Sequence, residues 1–245
     1  MKRYLIGFAY DATNYHGYQK QPRLRTVQEA IEDALTSINN NQKIIIHAAS
    51  RTDRGVHALN QRAHFDMDID ITCFKFKRAL NSTLPKDIHV NDVNEVDETF
   101  HARYDAVKKE YIYLINMGEY NPIERNYVYQ YNSELDIDKM NNAIKYFIGE
   151  HDFTSFVSAE DVKEDKVRTI FDAKINKDGN KVCISFTGTG FLKYQVRIMV
   201  GNLIEVGNGK RDPKEIESML IDKDRQKAGK TAKPEGLYLK NVWYE

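Results

Sequence analysis

Residues 50–58, Ser-Arg-Thr-Asp-Arg-Gly-Val-His-Ala, follow a short apolar run that predicts a buried strand. The one acidic side chain in this stretch, Asp53, lies between Arg51 and Arg54, and these opposite charges favour an ionised carboxylate. Gly55 allows a sharp backbone turn directly afterwards. A lone carboxylate held on such a turn beside guanidinium groups suits covalent catalysis on an anionic substrate. An Asp that caps a turn and pairs with a surface Arg is the structural alternative, and the spacing alone leaves both open.

The composition predicts a folded globular chain. It has 245 residues, enough for one large domain or two small ones, and 41% of them are hydrophobic. No apolar run approaches the roughly 18–20 residues of a membrane span, and the first residues show no signal-peptide pattern. Cys73 and Cys183 fit neither a disulfide framework nor a zinc site. We therefore expect a cytoplasmic protein with reduced thiols that uses no metal and does not span a membrane.

The net charge is zero, from 36 basic and 36 acidic residues. A general nucleic-acid binder usually has an excess of basic residues, so the total argues against that class. The basic residues are clustered, however: Arg51, Arg54 and Arg62 surround Asp53 in the sequence, whereas acidic residues concentrate within 92–98. Such segregation predicts either one basic cleft on a neutral molecule or ordinary solvated faces.

Hydrophobic patterns predict two α+β halves, residues 1–104 and 105–245. In each half an aromatic-rich strand precedes a helix, further strands, a second helix and a closing strand. Two such halves joined edge to edge give a continuous mixed or antiparallel sheet flanked by helices, with a ligand cleft between the halves.

Three local patterns bear on the site. Residues 43–48 predict the strand that leads to Asp53, and Thr26 with Glu29 predicts a capping box at the start of a helix. Residues 190–201 predict a helix buried on more than one side that carries a single arginine, Arg197. Because a buried unpaired charge is costly, this guanidinium needs a partner.

The stretch 50–58 resembles the catalytic signature of the tRNA pseudouridine synthase A family, Gly-Arg-Thr-Asp-x-Gly-Val-His-Ala, with Ser50 in place of the first Gly. Residues 10–21 resemble the family's Tyr-Asp-Gly-Thr-x-Tyr-x-Gly-Phe-Gln-x-Gln, and residues 100–106 its Phe-His-Ala-Arg-x-x-Ala. Residues 190–201 resemble Phe-Leu-x-x-Met-Val-Arg-x-x-Val-Gly. The departures from these patterns and from a later Thr-Ala-Pro motif are Ala12, Tyr18, Gln195 and Lys233.

The resemblance assigns roles to four residues. Asp53 corresponds to the nucleophile, and whether it attacks C1′ or the ring, or acts as a base, stays open. Arg51 corresponds to the arginine that enters the space left by the flipped base, and Arg197 to the partner that keeps Asp53 ionised and oriented. Tyr111, in the pattern Lys-x-Tyr-x-Tyr, corresponds to the tyrosine that stacks on uracil. A structural tyrosine in a half-buried sheet is the alternative for Tyr111.

The resemblance also implies a reaction. The family converts uridine to pseudouridine at positions 38, 39 and 40 in the anticodon stem-loop of tRNA, without a cofactor, and its members are homodimers. A base inside a stem must first be flipped out of the stack. A non-catalytic RNA-binding protein on the same scaffold is one alternative. A hydrolase that cleaves the glycosidic bond is another, but it needs two carboxylates and only Asp53 is convincing.

Overall fold

The structure is a computed structural model that describes residues 1–161 and 164–245. Contacts divide it into two compact units, Met1–Val107 with Tyr238–Glu245, and Lys108–Leu237. Both are mixed α+β with mostly antiparallel strands and packed helices, as the sequence predicted. Residues 238–245, at the end of the expected second half, fall in the first unit.

The elements of the first unit come from both ends of the chain, and those of the second lie between them. In chain order the strands and helices are β1 (Lys2–Tyr10), α1 (Val27–Ile38), β2 (His47–Ala48), β3 (His57–Met67), α2 (Cys73–Thr83), β4 (Ile88–Val96), β5 (Lys108–Asn116), β6 (Tyr129–Gln130), α3 (Ile137–Ile144), β7 (Gly149–Asp152), β8 (Val167–Asp178), β9 (Lys181–Gly188), α4 (Gln195–Gly207), α5 (Glu215–Asp222) and β10 (Leu237–Trp243). None of the described helices has the length and apolarity that a membrane-spanning helix requires.

The sheet of the first unit has the strand order β4-β1-β3-β10, with β2 also paired to β3. β1 runs antiparallel to β3 and β4, and β10 pairs parallel to the start of β3. The Tyr4 ring lies 5.9 Å from the Phe65 ring and 5.4 Å from the Phe76 ring, so α2 packs on this sheet through aromatic contacts. This core fixes β3, and therefore the loop directly before it.

The predicted strand at 43–48 is mostly wrong, since only His47–Ala48 pairs as a strand. Ile44 and Ile46 are buried as predicted, but Ile45 is 55% exposed, so the expected burial of the whole apolar run is only partly confirmed. Residues of α1 take the backbone hydrogen bonds instead: the Thr36 hydroxyl accepts from Ile44 N at 3.2 Å, and Glu32 Oε1 accepts from Ile46 N at 3.4 Å.

The predicted start of α1 is confirmed, but the predicted capping box is wrong because the Thr26 side chain makes no capping hydrogen bond. The first helical N–H groups donate to a preceding loop: Val27 N to Gly17 O at 3.3 Å, and Gln28 N to Tyr18 O at 2.9 Å. The loop 11–20 is therefore joined to the N-terminus of α1.

The sheet of the second unit has the order β5-β9-β8-β7, all antiparallel, with β6 parallel to the end of β5. β8 and β9 form an antiparallel hairpin. The Phe147 ring contacts those of Phe156 and Phe186 at 5.1 and 6.2 Å. The predicted buried helix begins at Gln195 rather than near residue 190, because Tyr194 has a left-handed backbone with φ of 65°.

Candidate active site

Asp53 lies on a tight turn in the loop between β2 and β3. Its carbonyl oxygen accepts a hydrogen bond from Val56 N at 3.1 Å, and Gly55 has a φ of 74°. A left-handed residue at this position favours glycine. The Asp53 residue is half-buried, so the turn does not enclose it completely.

A second loop, residues 11–20, contacts the Asp53 turn through hydrogen bonds and close backbone packing. The carbonyl of Thr52 accepts from Tyr18 N at 3.1 Å, and the Thr52 and Tyr10 hydroxyls are hydrogen-bonded at 2.7 Å. Gly17 has a φ of +94°, and a Cβ there would lie 3.1 Å from Thr52 O and 3.3 Å from Arg54 N. Glycine is therefore required twice over, by its backbone angle and by its close approach to the Asp53 turn.

His57 joins the same two loops and is not placed as an acid–base catalyst. The ring is 2% exposed, its Nδ1 accepts from Ala12 N at 3.0 Å, and it stacks on Tyr238 at 4.8 Å. Asp11 Oδ1 also lies 3.4 Å from Nδ1. Because an Nδ1 that accepts an N–H bond carries no proton, we assign the Ala12 contact as the bond and do not assign an ion pair with Asp11.

The basic residues near Asp53 in sequence differ in their partners. Arg62 forms an ion pair with Asp92 at 2.5 Å across the sheet, so its charge is neutralised there. Arg51 and Arg54 are exposed and form no ion pair with any described residue. Two of the three cations near Asp53 in the sequence therefore remain available to an anionic ligand, and a basic cleft that contains them stays a prediction.

Tyr111 lies on β5 in the second unit and is 8% exposed. Its ring meets the Phe191 ring edge-on, with centroids 5.2 Å apart and an interplanar angle of 79°. Phe191 belongs to the short segment that precedes α4. Tyr111 is therefore packed against the chain that leads to Arg197.

Arg197 is held at the start of α4 by contacts of different kinds. Its Nε donates to the carbonyl of Ala232 at 2.8 Å, and its own carbonyl accepts from Ala232 N at 2.9 Å. Its guanidinium carbon lies 5.0 Å from the centre of the Tyr194 ring, within cation–π range. The pairing of Arg197 with Asp53 stays a prediction.

Sequence reasoning missed a histidine cluster in the first unit. The His64 ring lies 5.1 Å from that of His47 and 4.6 Å from that of His101. Burial lowers the pKa of His64 to about 4, with a further lowering from His101 and His47, and burial also lowers the pKa of His101. The described residues contain no group of three or more His, Cys, Asp or Glu side chains with metal-site geometry. The sequence alone could not show this cluster, because it depends on the β2–β3 register, which places His47 opposite His64.

It also missed the hydroxyl of Tyr18. Tyr18 is 2% exposed, and no described residue gives this hydroxyl a hydrogen-bond partner. Burial raises the pKa of Tyr18. The only sequence signal was its departure from the Phe of the family pattern.

Comparisons with known proteins agree on one family. A family model described as tRNA pseudouridine synthase matches residues 6–105 and 143–245, which include Asp53 and Arg197 but not Tyr111. Curated relatives called tRNA pseudouridine synthase A match over the whole chain. They include proteins from Anoxybacillus flavithermus, 44% identical over all of both chains, and from an Exiguobacterium species, 47% identical over all of this chain and 99% of that one. A Listeria monocytogenes relative is 46% identical over all of both chains.

Proposed function

The chain belongs to the tRNA pseudouridine synthase family, and on that premise we propose that it isomerises uridine to pseudouridine at positions 38, 39 and 40 of tRNA. The observation that carries this proposal is the Asp53 turn, in which a half-buried aspartate has Arg51 and Arg54 as near neighbours in the sequence, and neither arginine forms an ion pair with a described residue. Exposed guanidinium groups bind phosphate oxygens strongly, so this surface suits an RNA backbone.

The reaction requires the protein to separate and rejoin two parts of one nucleotide. The N1–C1′ bond breaks, the base turns, and a C5–C1′ bond forms; C5 then loses a proton and N1 gains one. No atom is added overall, and no electron donor or acceptor is required. Asp53 supplies the carboxylate that reacts with the ribose or the ring, or removes a proton.

The other three predicted residues act around Asp53. Arg51 enters the space that the flipped base leaves, because it is exposed and two residues from Asp53. Tyr111 stacks on the uracil, and its hydroxyl accepts a proton late in the reaction. Arg197, fixed by Ala232 and Tyr194, pairs with Asp53 and keeps it ionised.

The first experiment measures tritium release from tRNA transcripts that carry 5-³H-uridine, since the new bond at C5 must expel that hydrogen. The wild type is expected to release tritium, and Asp53→Asn to release none while it binds tRNA normally. Asp68→Asn, at an exposed carboxylate outside the loop, makes the same charge change and is expected to behave as wild type.

Each other outcome contradicts the proposal in a different way. If neither protein releases tritium although both bind tRNA, the chain is an RNA-binding protein. If free uracil appears in solution, the chain is a hydrolase. If Asp53→Asn remains active, Asp53 is not the nucleophile.

Tyr111→Phe separates the two roles of that residue. The phenylalanine ring still stacks but accepts no proton, so substrate affinity is expected to persist while turnover falls. A loss of affinity with unchanged turnover would contradict the late proton transfer.

We further propose that the protein works as a homodimer in the cytoplasm, as the family resemblance implies. Light scattering after gel filtration is expected to give twice the 28.5 kDa mass of one chain. A mass of one chain at micromolar concentration would contradict the dimer.

A further inference from the structure

The first unit contains a cavity of about 200 Å³ next to Arg51. We call it the Arg51 cavity, and the lining residues that matter here are Tyr18, Gln19, Arg51, His101, Arg103 and Tyr104. Its volume is below the roughly 300–1,000 Å³ of pockets for drug-sized ligands, so it suits a group the size of one nucleobase. Asp53 is not among the lining residues, so this cavity is separate from the carboxylate.

The Tyr18 side chain lines this cavity but does not offer it a polar group. The Tyr18 ring packs in the core, 6.5 Å from the rings of Phe8 and Tyr10. Its hydroxyl is enclosed by the protein and has no hydrogen-bond partner among the described residues. The polar groups that can reach a ligand therefore lie at the rim of the cavity.

The rim of the Arg51 cavity carries the groups that recognise a nucleotide. The Tyr104 side chain is a large apolar surface, with the residue 74% exposed, and the Arg103 guanidinium lies 5.8 Å from its ring centre. Arg103 and Arg51 are exposed and form no ion pair with a described residue. The exposed Gln19 amide makes no side-chain hydrogen bond in the described chain. An aromatic face, an amide and arginines are the combination that binds an unstacked base and its phosphate.

The segment that carries Arg103 and Tyr104 is fixed before any ligand binds. The ring of His101 accepts at Nδ1 from Arg103 N at 3.1 Å and from Tyr104 N at 3.4 Å. Ala102 is held on both sides, because its N–H donates to His64 Nδ1 at 3.1 Å and its carbonyl accepts from Tyr244 at 2.8 Å. Because these hydrogen bonds hold the backbone of the segment before a ligand binds, less conformational entropy is lost on binding.

We propose that the Arg51 cavity binds a second unstacked nucleotide of the RNA substrate, adjacent to the target uridine. The base enters the cavity, stacks on Tyr104 and hydrogen-bonds to the Gln19 amide, while Arg103 contacts its phosphate. Arg51 lines the cavity and precedes Asp53 by two residues, so the nucleotide bound there neighbours the one that reaches Asp53. This inference rests on the proposed function for the identity of the RNA.

The test is a binding cycle that needs no turnover. Full-length tRNA transcripts with single abasic sites on either side of the target are titrated against wild type and Tyr104→Ala at one salt concentration. In the wild type one abasic position is expected to weaken binding about tenfold, the loss expected for one stacked base. In Tyr104→Ala the same abasic site is expected to weaken binding by less than about twofold, because the stacking partner is already absent. Tyr120→Ala, at an exposed tyrosine of the second unit, is the matched control and is expected to retain the wild-type loss.

Different experimental results would contradict the proposed nucleotide site and the proposed reaction. If wild type releases tritium but no flanking abasic site weakens binding, or Tyr104→Ala shows the same loss, the cavity is not a nucleotide site although the reaction stands. If the cycle appears without tritium release, the cavity binds RNA and the proposed reaction is wrong.

Discussion

Lowering the pH from 7 to 5 is expected to destabilise the protein through His64. This residue is 3% exposed, and burial lowers its pKa from the ordinary 6.5 to about 4. The neighbouring His101, His47 and Arg3 lower it further, and Asp66 acts in the opposite direction. Between the two pKa values the unfolded chain binds a proton that the folded chain does not, so stability falls as the pH falls through this range.

The size of the effect follows from the two pKa values. At about 1.4 kcal/mol per pKa unit, the full contribution of His64 is about 3 kcal/mol, present above pH 6.5 and lost by pH 4. The part lost between pH 7 and pH 5 is about 2 kcal/mol, because His64 stays mostly neutral in the folded state at pH 5.

The assay is urea unfolding of wild type and His64→Asn at both pH values. Asparagine keeps an acceptor oxygen for Ala102 N, which donates to His64 Nδ1 in the wild type, but it does not titrate. The wild type is expected to lose about 2 kcal/mol more than the variant. His89→Asn, at an exposed histidine on β4, is expected to show the wild-type loss. Equal losses in wild type and His64→Asn would refute the assignment of the pH dependence to this buried ring.

Three backbone positions give further predictions. Gly17→Ala is expected to slow tritium release roughly 10- to 100-fold with the fold retained by circular dichroism, because its Cβ would press on Thr52 O and shift the Asp53 turn. Arg23, with a φ of 63°, is strained, so Arg23→Gly is expected to raise the free energy of unfolding by about 1 kcal/mol. This exposed arginine is also expected to contact an RNA phosphate. Arg23→Gly should therefore weaken tRNA binding and lower the slope of log affinity against log salt concentration by about one. Tyr194→Gly relieves a φ of 65° but removes the ring beneath Arg197, so unchanged or higher stability with slower pseudouridine formation is expected.

Local sequence patterns predicted burial and helix starts, but they did not predict hydrogen-bond partners that come from other segments of the chain. The apolar run at residues 44–46 correctly predicted the burial of Ile44 and Ile46, but it did not reveal that Glu32 and Thr36 of α1 take the backbone hydrogen bonds. In the same way, Thr26 predicted the start of α1, whereas the carbonyls that cap it come from a loop that precedes it. Burial is encoded in a residue's own side chain, but a hydrogen-bond partner depends on the folded arrangement.

The candidate site shows the same division. Asp53, Arg51 and the turn at Gly55 were predictable because their relation is contained in nine consecutive residues. The pairing of Arg62 with Asp92 was not, because it joins residues 30 positions apart across a sheet. Counting charges near Asp53 in sequence therefore overestimated the cations available to RNA.

The loop 11–20 links these observations, because it serves three neighbours at once. Its Gly17 and Tyr18 carbonyls cap α1, its Gly17 backbone lies against the Asp53 turn, and the Tyr18 side chain lines the Arg51 cavity. A loop with only one of these contacts could move without cost to the others. Since the three are joined through two consecutive residues, a nucleotide held in the Arg51 cavity lies against the loop that positions Asp53. Recognition of a flanking nucleotide and alignment of the nucleophile are therefore expected to be coupled, and Tyr104→Ala should change turnover as well as affinity.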